Sequence, residues 1–145
     1  MCSSDLSLIW HALAWVPVAV APTPGRVVRA TGISAALAAE SALVNGPVKA
    51  VFRRERPVLE GTGSRPHRLR TPRTSSFPSG HASAATVAVM MLGRRRGLLT
   101  RAALAVLGTV VASSRVHVRI HHPSDVVGGV AVGYVLGRVA RRLLP

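Results

Sequence analysis

A histidine and an aspartate stand four residues apart in the pattern Ser-Arg-x5-His-x3-Asp, which ends at His121 and Asp125. At this separation a carboxylate can hold one imidazole nitrogen and leave the other free to attack, which makes an orienter–nucleophile pair. A His-Pro pair precedes Asp125 and predicts a helix start, where an acid is favoured by the helix dipole alone. The spacing therefore indicates a nucleophile at His121, and a purely capping role for Asp125 stays open.

A second motif, Pro78-Ser79-Gly80-His81, comes just before an apolar segment. Ser79 is a suitable cap for a helix that begins there, and Gly80 lets an anion approach the backbone N–H groups of the first turn. His81 then projects from that turn. The motif predicts a phosphate cradle, although an ordinary serine cap beside an incidental histidine has the same sequence.

The third motif is Lys49, six residues, and then Arg56-Pro57. Asn45 is a plausible cap for a helix that Pro57 ends, and a separation of seven residues is almost two helical turns. We therefore expect Lys49, Arg53 and Arg56 to share one helical face. An exposed basic helix end is the alternative, but Lys49 is the only lysine beside 18 arginines, so it is a poor candidate for an interchangeable surface charge.

Together the motifs resemble the signature of the type-2 phosphatidic acid phosphatase superfamily, which also includes vanadium haloperoxidases and bacterial acid phosphatases. All eleven residues of its pattern occur here in order, with both fixed spacings intact. The resemblance covers Val44 to about Gly137. The residues around the second and third motifs, 73–77 and 125–129, are similar to bacterial membrane lipid-phosphatase members.

The resemblance implies a role for each motif residue. His121 attacks phosphorus and forms a phosphohistidine, Asp125 fixes the imidazole tautomer, and His81 protonates the leaving oxygen. No cofactor and no metal are implied. The residues implied to bind the substrate phosphate are Lys49, Arg56, Ser79, Gly80 and Arg115.

Three positions depart from the usual family residues, outside the signature itself. Tyrosine is common where His117 and His122 stand, and glycine is common where Arg119 stands. These departures bear on substrate preference more than on the reaction. A metal site at His117, His121 and His122 is disfavoured, because Asp125 is the only carboxylate near them in the sequence.

Five apolar segments must position these residues, and none is an uninterrupted apolar run of about 18 residues. Small residues are tolerated in spans and let helices approach closely. We therefore expect an all-α membrane helical bundle of about five to six helices, with a polar phosphate pocket built from loops at one end. An alanine-rich soluble bundle is the alternative. The segments are Ser7–Pro22, Val27–Asn45, Ala82–Gly93, Leu99–Val116 and Asp125–Ala140.

Composition narrows the partners. The chain of 145 residues is 48% hydrophobic and 3% aromatic, with a formal net charge of +14. Such a charge favours nucleic acid, anionic lipid or a phosphorylated substrate. Because the basic residues form short clusters between apolar stretches, we expect a lipid phosphate substrate and membrane lipids. We expect no nucleic acid and no obligatory protein partner.

The basic residues do not fix the orientation in a membrane, because nine fall on one predicted side and ten on the other. If three of the ten are phosphate ligands and are not counted, the remaining positive charge favours the other side as cytoplasmic. We therefore expect a multi-pass protein of a bacterial cell membrane with an extracytoplasmic active site. The group of nine is Arg26, Arg29, Arg94, Arg95, Arg96, Arg101, Arg138, Arg141 and Arg142.

The N-terminal residues need separate treatment. Cys2 to Leu6 reads like one frame of a common sequencing adapter, so residues 1–6 are expected to be non-native. Residues 7–145 are then one domain, truncated at its N-terminus. Cys2 is the only cysteine, which excludes an intrachain disulfide.

The sequence as a whole predicts metal-independent hydrolysis of a lipid phosphomonoester or diphosphate, such as undecaprenyl diphosphate or phosphatidic acid. A soluble acid phosphatase or haloperoxidase on the same scaffold is one alternative. A non-enzymatic basic protein that binds membranes or nucleic acid is the other.

Overall fold

The computed structural model describes residues 5–57 and 74–144, with side chains from residue 7 onward, and within these ranges the chain is all-α. Each of the five predicted apolar segments forms a helix, which confirms the predicted helical bundle. A π-helical turn, Val44–Val48, joins the second helix to a short third one. The helices are α1 (Asp5–Val20), α2 (Pro24–Leu43), α3 (Lys49–Phe52), α4 (Gly80–Leu92), α5 (Leu98–His117) and α6 (Pro123–Leu143).

The helix starts follow the expected sequence signals. A proline opens both α2 and α6, where its missing N–H costs nothing. The Thr23 hydroxyl accepts a hydrogen bond from the Arg26 N–H and caps α2. α6 begins at Pro123 as predicted, with Asp125 in its first turn.

α4 packs against the other long helices, and its backbone comes into close contact with the backbone of α6. A Cβ on Gly129 would lie 2.4 Å from the carbonyl oxygen of Ser79, and one on Gly133 would lie 2.5 Å from that of Ser83. Only hydrogen fits at these two positions, so the glycines let the N-terminal half of α4 contact α6 directly. The buried core around α4 includes Trp10, Ile33, Leu37, Val87, Met91 and Val111.

Basic turns meet at the end of the bundle where α4 finishes. The Arg29 guanidinium donates to the carbonyls of Met91 (3.3 Å), Leu92 (3.2 Å) and Arg94 (2.7 Å). Arg94 in turn donates to the carbonyl of Leu144, after the end of α6. These bonds place the start of α2, the α4–α5 turn and the end of α6 together.

Two helical stretches are long and apolar enough to cross a membrane, Pro24–Phe52 and Leu98–His117. The helices Ser7–Val20 and Gly80–Leu92 are apolar but shorter. The first stretch is not a regular helix throughout, because Gly46 has φ −94° and ψ −107° and kinks it.

The prediction that Lys49, Arg53 and Arg56 share one helical face is wrong. Asn45 lies inside the π-helical turn Val44–Val48 that follows α2 without a break, so it is not a helix cap. α3 ends at Phe52, and Arg53 follows with φ 41°, in the left-handed region that stops a right-handed helix. Arg56 therefore lies in a non-helical segment after α3 and reaches the site from there.

Candidate active site

His121 lies in the short connection between α5 and α6, and its backbone N–H donates to the Arg115 carbonyl (3.2 Å). Its imidazole is buried, and Nδ1 faces Asp125 Oδ2 at 3.6 Å. Nδ1 has no hydrogen-bond partner among the described residues. At 3.6 Å the two atoms lie within ion-pair range but are too far apart for a hydrogen bond.

Asp125 is fully buried and both caps α6 and orients its neighbours. Its Oδ2 accepts a hydrogen bond from the backbone N–H of His122 (2.8 Å), which is the capping role left open above. Its Oδ1 accepts from Arg54 Nη1 (2.9 Å). The same Oδ2 also hydrogen-bonds the His122 ring at Nδ1 (3.3 Å), so Asp125 is held on both oxygens and lies beside His121 without a hydrogen bond to it.

Arg54 was not anticipated from the sequence. It also donates to the Ser124 hydroxyl (2.8 Å), so its guanidinium spans the first turn of α6. The only available signal was indirect: a buried aspartate requires a partner cation, but 71 residues separate it from Arg54.

The surroundings of His121 hold its imidazole in the neutral form. Burial, followed by the nearby charges of Arg56 and Lys49, lowers the pKa of His121 from 6.5 to about 4. Asp125 and the Ser76 backbone oppose this shift. A neutral imidazole near pH 7 has the free electron pair that a nucleophile needs.

Lys49 and Arg56 bring positive charge to His121 from different directions. Lys49 Nζ donates to Asn45 Oδ1 (2.8 Å), four residues earlier along the same stretch. Arg56 Nη1 donates to the Ile120 carbonyl (2.8 Å), next to His121. Its Nη2 donates to the carbonyls of Thr74 and Ser75. Arg56 therefore ties the segment before α4 to the segment before α6.

The second motif starts α4, as predicted, and packs against the other two motifs. Gly80 contacts Asn45, because a Cβ at this position would lie 3.0 Å from Asn45 Oδ1. The Ser79 N–H donates to the Asp125 carbonyl (2.9 Å). The predicted Ser79 cap is wrong in one respect: its buried hydroxyl makes no capping bond and has no partner among the described residues.

Arg115 is 8% exposed, and its Nε donates to the Ser114 hydroxyl (3.1 Å). It lies in the last turn of α5, five residues before Ile120 and six before His121. Both of those backbone N–H groups bond to its carbonyl. Arg115 therefore positions the His121 connection through its backbone, whatever its side chain binds.

A cavity of about 530 Å³ opens onto these groups. Of the predicted site residues, five line it: Lys49, Arg56, Gly80, His81 and His121. The other three, Ser79, Arg115 and Asp125, are buried outside the lining. Away from the motifs the wall includes Trp10, Leu37, Ala38 and Ala84, and it also includes Glu40, which the sequence patterns did not single out. Within residues 5–57 and 74–144, no three His, Cys, Asp or Glu side chains are grouped to hold a metal ion.

A model of the PAP2 superfamily matches residues 29–145, a range that contains all three motifs. The chain belongs to the PAP2 superfamily. The resemblance inferred from the motifs is thereby confirmed. The curated PAP2 relatives below are phosphatases, and this chain is a phosphatase of the same family.

Among those relatives is the decaprenylphosphoryl-5-phosphoribose phosphatase of Mycobacterium tuberculosis. It is 33% identical over 130 residues, which cover 90% of this chain and 68% of the relative. The protein of the same name from Mycolicibacterium smegmatis is 38% identical over 124 residues, covering 82% of this chain and 64% of the relative.

Two solved PAP2 structures share the fold. Aquifex aeolicus LpxE superposes with a TM-score of 0.68 at 22% identity, covering 94% of this chain and 86% of that one. The transmembrane PAP2-type phosphatidylglycerolphosphate phosphatase from Bacillus subtilis also superposes with a TM-score of 0.68, at 20% identity, covering 98% of this chain and 70% of that one. At these identities the structures support the helical architecture and not a substrate.

Proposed function

We propose that this PAP2 protein hydrolyses a lipid phosphomonoester or diphosphate without a metal, through a phosphohistidine at His121. One observation carries the proposal: a buried neutral His121 has Asp125 on one side and a cavity with Lys49, Arg56 and His81 on the other. A nucleophile, its orienting group and phosphate-neutralising charge thus converge on one space.

In the first step, Nε2 of His121 forms a bond to phosphorus while the bond from phosphorus to the leaving oxygen breaks. His81 gives its proton to that oxygen, so that an alcohol leaves from a phosphomonoester and a lipid monophosphate leaves from a diphosphate. Asp125 stabilises the imidazolium that forms. Lys49, Arg56 and the Gly80 N–H stabilise the phosphoryl oxygens from the cavity lining. Arg115 and Ser79, which are buried outside the lining, act on the phosphate through their charge and dipole.

In the second step, His81 takes a proton from water, and the resulting nucleophile attacks the phosphoryl group. The P–N bond breaks, inorganic phosphate leaves, and His121 is neutral again. Both steps balance with water as the only co-reactant. The proposed roles therefore need no cofactor.

A lipid substrate is supported by the outside of the molecule and by the cavity wall. Leu99, Val106 and Val110 of α5 are more than half exposed, as are Val127 and Val135 of α6. Apolar faces of this kind suit contact with lipid. The cavity also joins its charged end to apolar side chains of α1 and α2. The Mycobacterium relatives are named for a polyprenyl-linked substrate.

We place the protein in the bacterial cell membrane as a multi-pass protein with an extracytoplasmic active site. The two apolar stretches and the exposed faces support insertion. The extracytoplasmic side rests only on the charge balance of the loops. We also retain residues 7–145 as one PAP2 domain.

The test uses purified protein in detergent and lipid monophosphate and diphosphate substrates. Hydrolysis is expected to persist in excess chelator and to be inhibited by vanadate, which mimics five-coordinate phosphorus. Chelator-dependent loss that magnesium restores would exclude the metal-independent reaction. Active, monodisperse protein from a detergent-free supernatant would favour the soluble alternative.

The nucleophile is tested with His121→Ala, and the exposed His117→Ala serves as the matched control. His121→Ala should lose ~10⁴-fold or more of the rate, as removal of a nucleophile usually does. An acid-labile, base-stable phosphoenzyme should form in wild type and in His117→Ala only. A His121→Ala protein that keeps more than about one percent of the rate would make the assignment wrong.

A further inference from the structure

A second cavity, of about 590 Å³, adjoins the proposed active site and has no part in the proposed mechanism. The described residues that line this polar cavity come from the ranges 45–56 and 74–75. Lys49 and Arg56 line both cavities and therefore stand at the boundary between them. His81 and His121 line only the first. The polar cavity therefore begins beside the reacting groups and leads away from them.

The lining of the polar cavity carries an excess of positive charge. The left-handed Arg53 ends α3 and turns the chain, so that residues before and after the turn face one space. A concave surface with a net positive charge attracts anions and raises their local concentration. The described charged residues of the lining are four cations and one acid: Lys49, Arg53, Arg54, Arg56 and Glu55.

Arg53 differs from the other three cations in having no protein group to hold it. Lys49 is held by a side-chain amide, Arg54 by a buried carboxylate and Arg56 by backbone carbonyls. The Arg53 side chain is exposed and has no hydrogen-bond or ion-pair partner among the described residues. All donors of its guanidinium therefore remain available to an anion that enters the polar cavity.

The proposed reaction produces such an anion at His121, namely inorganic phosphate. Away from the motifs, the wall of the first cavity includes the apolar side chains of Trp10, Leu37 and Ala84, against which the lipid chain of a substrate can lie. Moving an ion along an apolar wall is costly, because its charge loses water without gaining a partner. The polar cavity offers cationic and hydrogen-bonding groups instead, and it opens directly beside Lys49 and Arg56.

We propose that the polar cavity is a second phosphate site, through which inorganic phosphate leaves the catalytic cavity, and that Arg53 binds the phosphate there. The ligand is the free ion and not the lipid. Lys49 and Arg56 face both cavities, so they contact the ion at the start of its path, and Arg53 contacts it further out. This inference rests on the proposed function, because the reaction at His121 must supply the phosphate.

The test measures initial rates of lipid monophosphate hydrolysis by the purified chain in detergent, with added inorganic phosphate and with sodium chloride to keep the ionic strength constant. Phosphate bound at His121 competes with the substrate and raises KM alone. Phosphate bound in the polar cavity can coexist with the substrate and blocks release of newly formed phosphate, so it lowers kcat. Wild type should show both effects.

Arg53→Gln should separate the two effects, because it removes the charge from the polar cavity only. The phosphate concentration that halves kcat should rise by about 3- to 10-fold, the effect of one charged contact at a partly exposed position. The effect of phosphate on KM should change less. Arg53→Lys keeps the positive charge and should retain most of the effect on kcat.

Two variants serve as matched controls. Glu55→Gln removes the acid from the same lining, so phosphate should lower kcat at concentrations up to about threefold smaller. Arg119 is also exposed and also has a positive φ, of 54°, but it does not line the polar cavity. Arg119→Gln should therefore leave the effect of phosphate on kcat as it is in wild type.

Purely competitive inhibition of wild type would overturn the proposal, and so would equal shifts in Arg53→Gln and Arg119→Gln. A third result assigns the polar cavity to a different phosphate. If Arg53→Gln lowers kcat/KM for an isoprenyl diphosphate but leaves inhibition by inorganic phosphate intact, the cavity holds the second phosphate of a substrate and the release path is wrong.

Failure of this inference can be told from failure of the proposed function. If wild type hydrolyses lipid phosphates and phosphate raises only KM, the proposed function stands and the second site is rejected. If wild type hydrolyses none of them, the proposed function fails, and the release path, which needs phosphate to be formed at His121, fails with it.

Discussion

The close contact between the start of α4 and α6 allows a direct test of whether the spacing of these helices positions the proposed site residues. Gly129→Ala adds a Cβ that would lie 2.4 Å from the Ser79 carbonyl oxygen, a distance that real Cβ atoms do not show. Reaching even 3.0 Å requires α4 and α6 to separate locally by about 0.6 Å. The displaced residues are Ser79, bonded to Asp125, and the adjoining Gly80 and His81.

Two effects of this substitution oppose each other in stability. Overpacking costs about 1–3 kcal/mol, whereas alanine is favoured over glycine within a helix by about 1 kcal/mol. The net loss of unfolding free energy should therefore be about 0–2 kcal/mol. Activity should fall more, because misplacement of catalytic groups by about 1 Å can cost ~10²-fold.

The assay compares single-turnover rates on one lipid monophosphate with thermal unfolding in the same detergent. Gly133→Ala is the matched variant, because its Cβ would meet the Ser83 carbonyl at 2.5 Å, one turn further from the site. Gly25→Ala is the neutral control, with no atom within 4 Å of its Cβ. Gly129→Ala should lose ~10-fold more activity than Gly133→Ala at similar stability. Equal activity in the two variants would refute the argument.

Three further changes test separate features of the site. His81→Ala should slow cleavage of an alkyl phosphate by roughly 10²–10⁴-fold. The same variant should slow phosphorylation of the enzyme by nitrophenyl phosphate far less, because nitrophenolate leaves without a proton. Single-turnover rates that fall equally for both substrates, within about threefold, would make His81 a phosphate ligand only. The depressed pKa of His121 means that the unfolded chain binds more protons than the folded chain between pH 6.5 and about 4. Wild-type stability should therefore decrease as the pH is lowered through that window, by up to about 1.4 kcal/mol per pH unit more steeply than the stability of His121→Gln. Parallel melting profiles of the two proteins would contradict this. Arg119 has φ 54°, so Arg119→Gly should raise the unfolding free energy by about 1 kcal/mol. The control Arg101→Gly, within α5, should lower the unfolding free energy by a similar amount. An Arg119→Gly protein that is less stable than wild type would show that the backbone at Arg119 is not strained.

The motifs that supply the proposed site residues could be recognised in the sequence because they are short and local. Each motif lies at or beside a helix terminus, and α4 and α6 begin where Ser79 and Pro123 indicated. Arg119 adopts a positive φ, which gives a physical reason for the glycine that the family resemblance implies at this position. Such signals depend on backbone conformation within a few residues, which a sequence reports directly.

The contacts made by Arg54, Arg56 and Glu40 were not predictable in this way. Helical periodicity placed Arg56 on the face of Lys49, but a left-handed Arg53 ends the helix first. Arg54 meets Asp125 across 71 residues, and Glu40 faces the cavity only because α2 packs beside α4. Contacts between residues that tertiary packing brings together from distant parts of the chain produce no periodic pattern in the sequence.

Several cations at this site serve the scaffold before any substrate arrives. Arg56 bonds to backbone carbonyls on two segments, Arg54 fixes Asp125, and Lys49 is held by Asn45. Because these groups are already oriented by the protein, the proposed mechanism needs little reorganisation when phosphate binds, and it places their charge at fixed positions around the transition state. The same bonds explain how loops, rather than one rigid helix, can hold a nucleophile and its counter-charges in register.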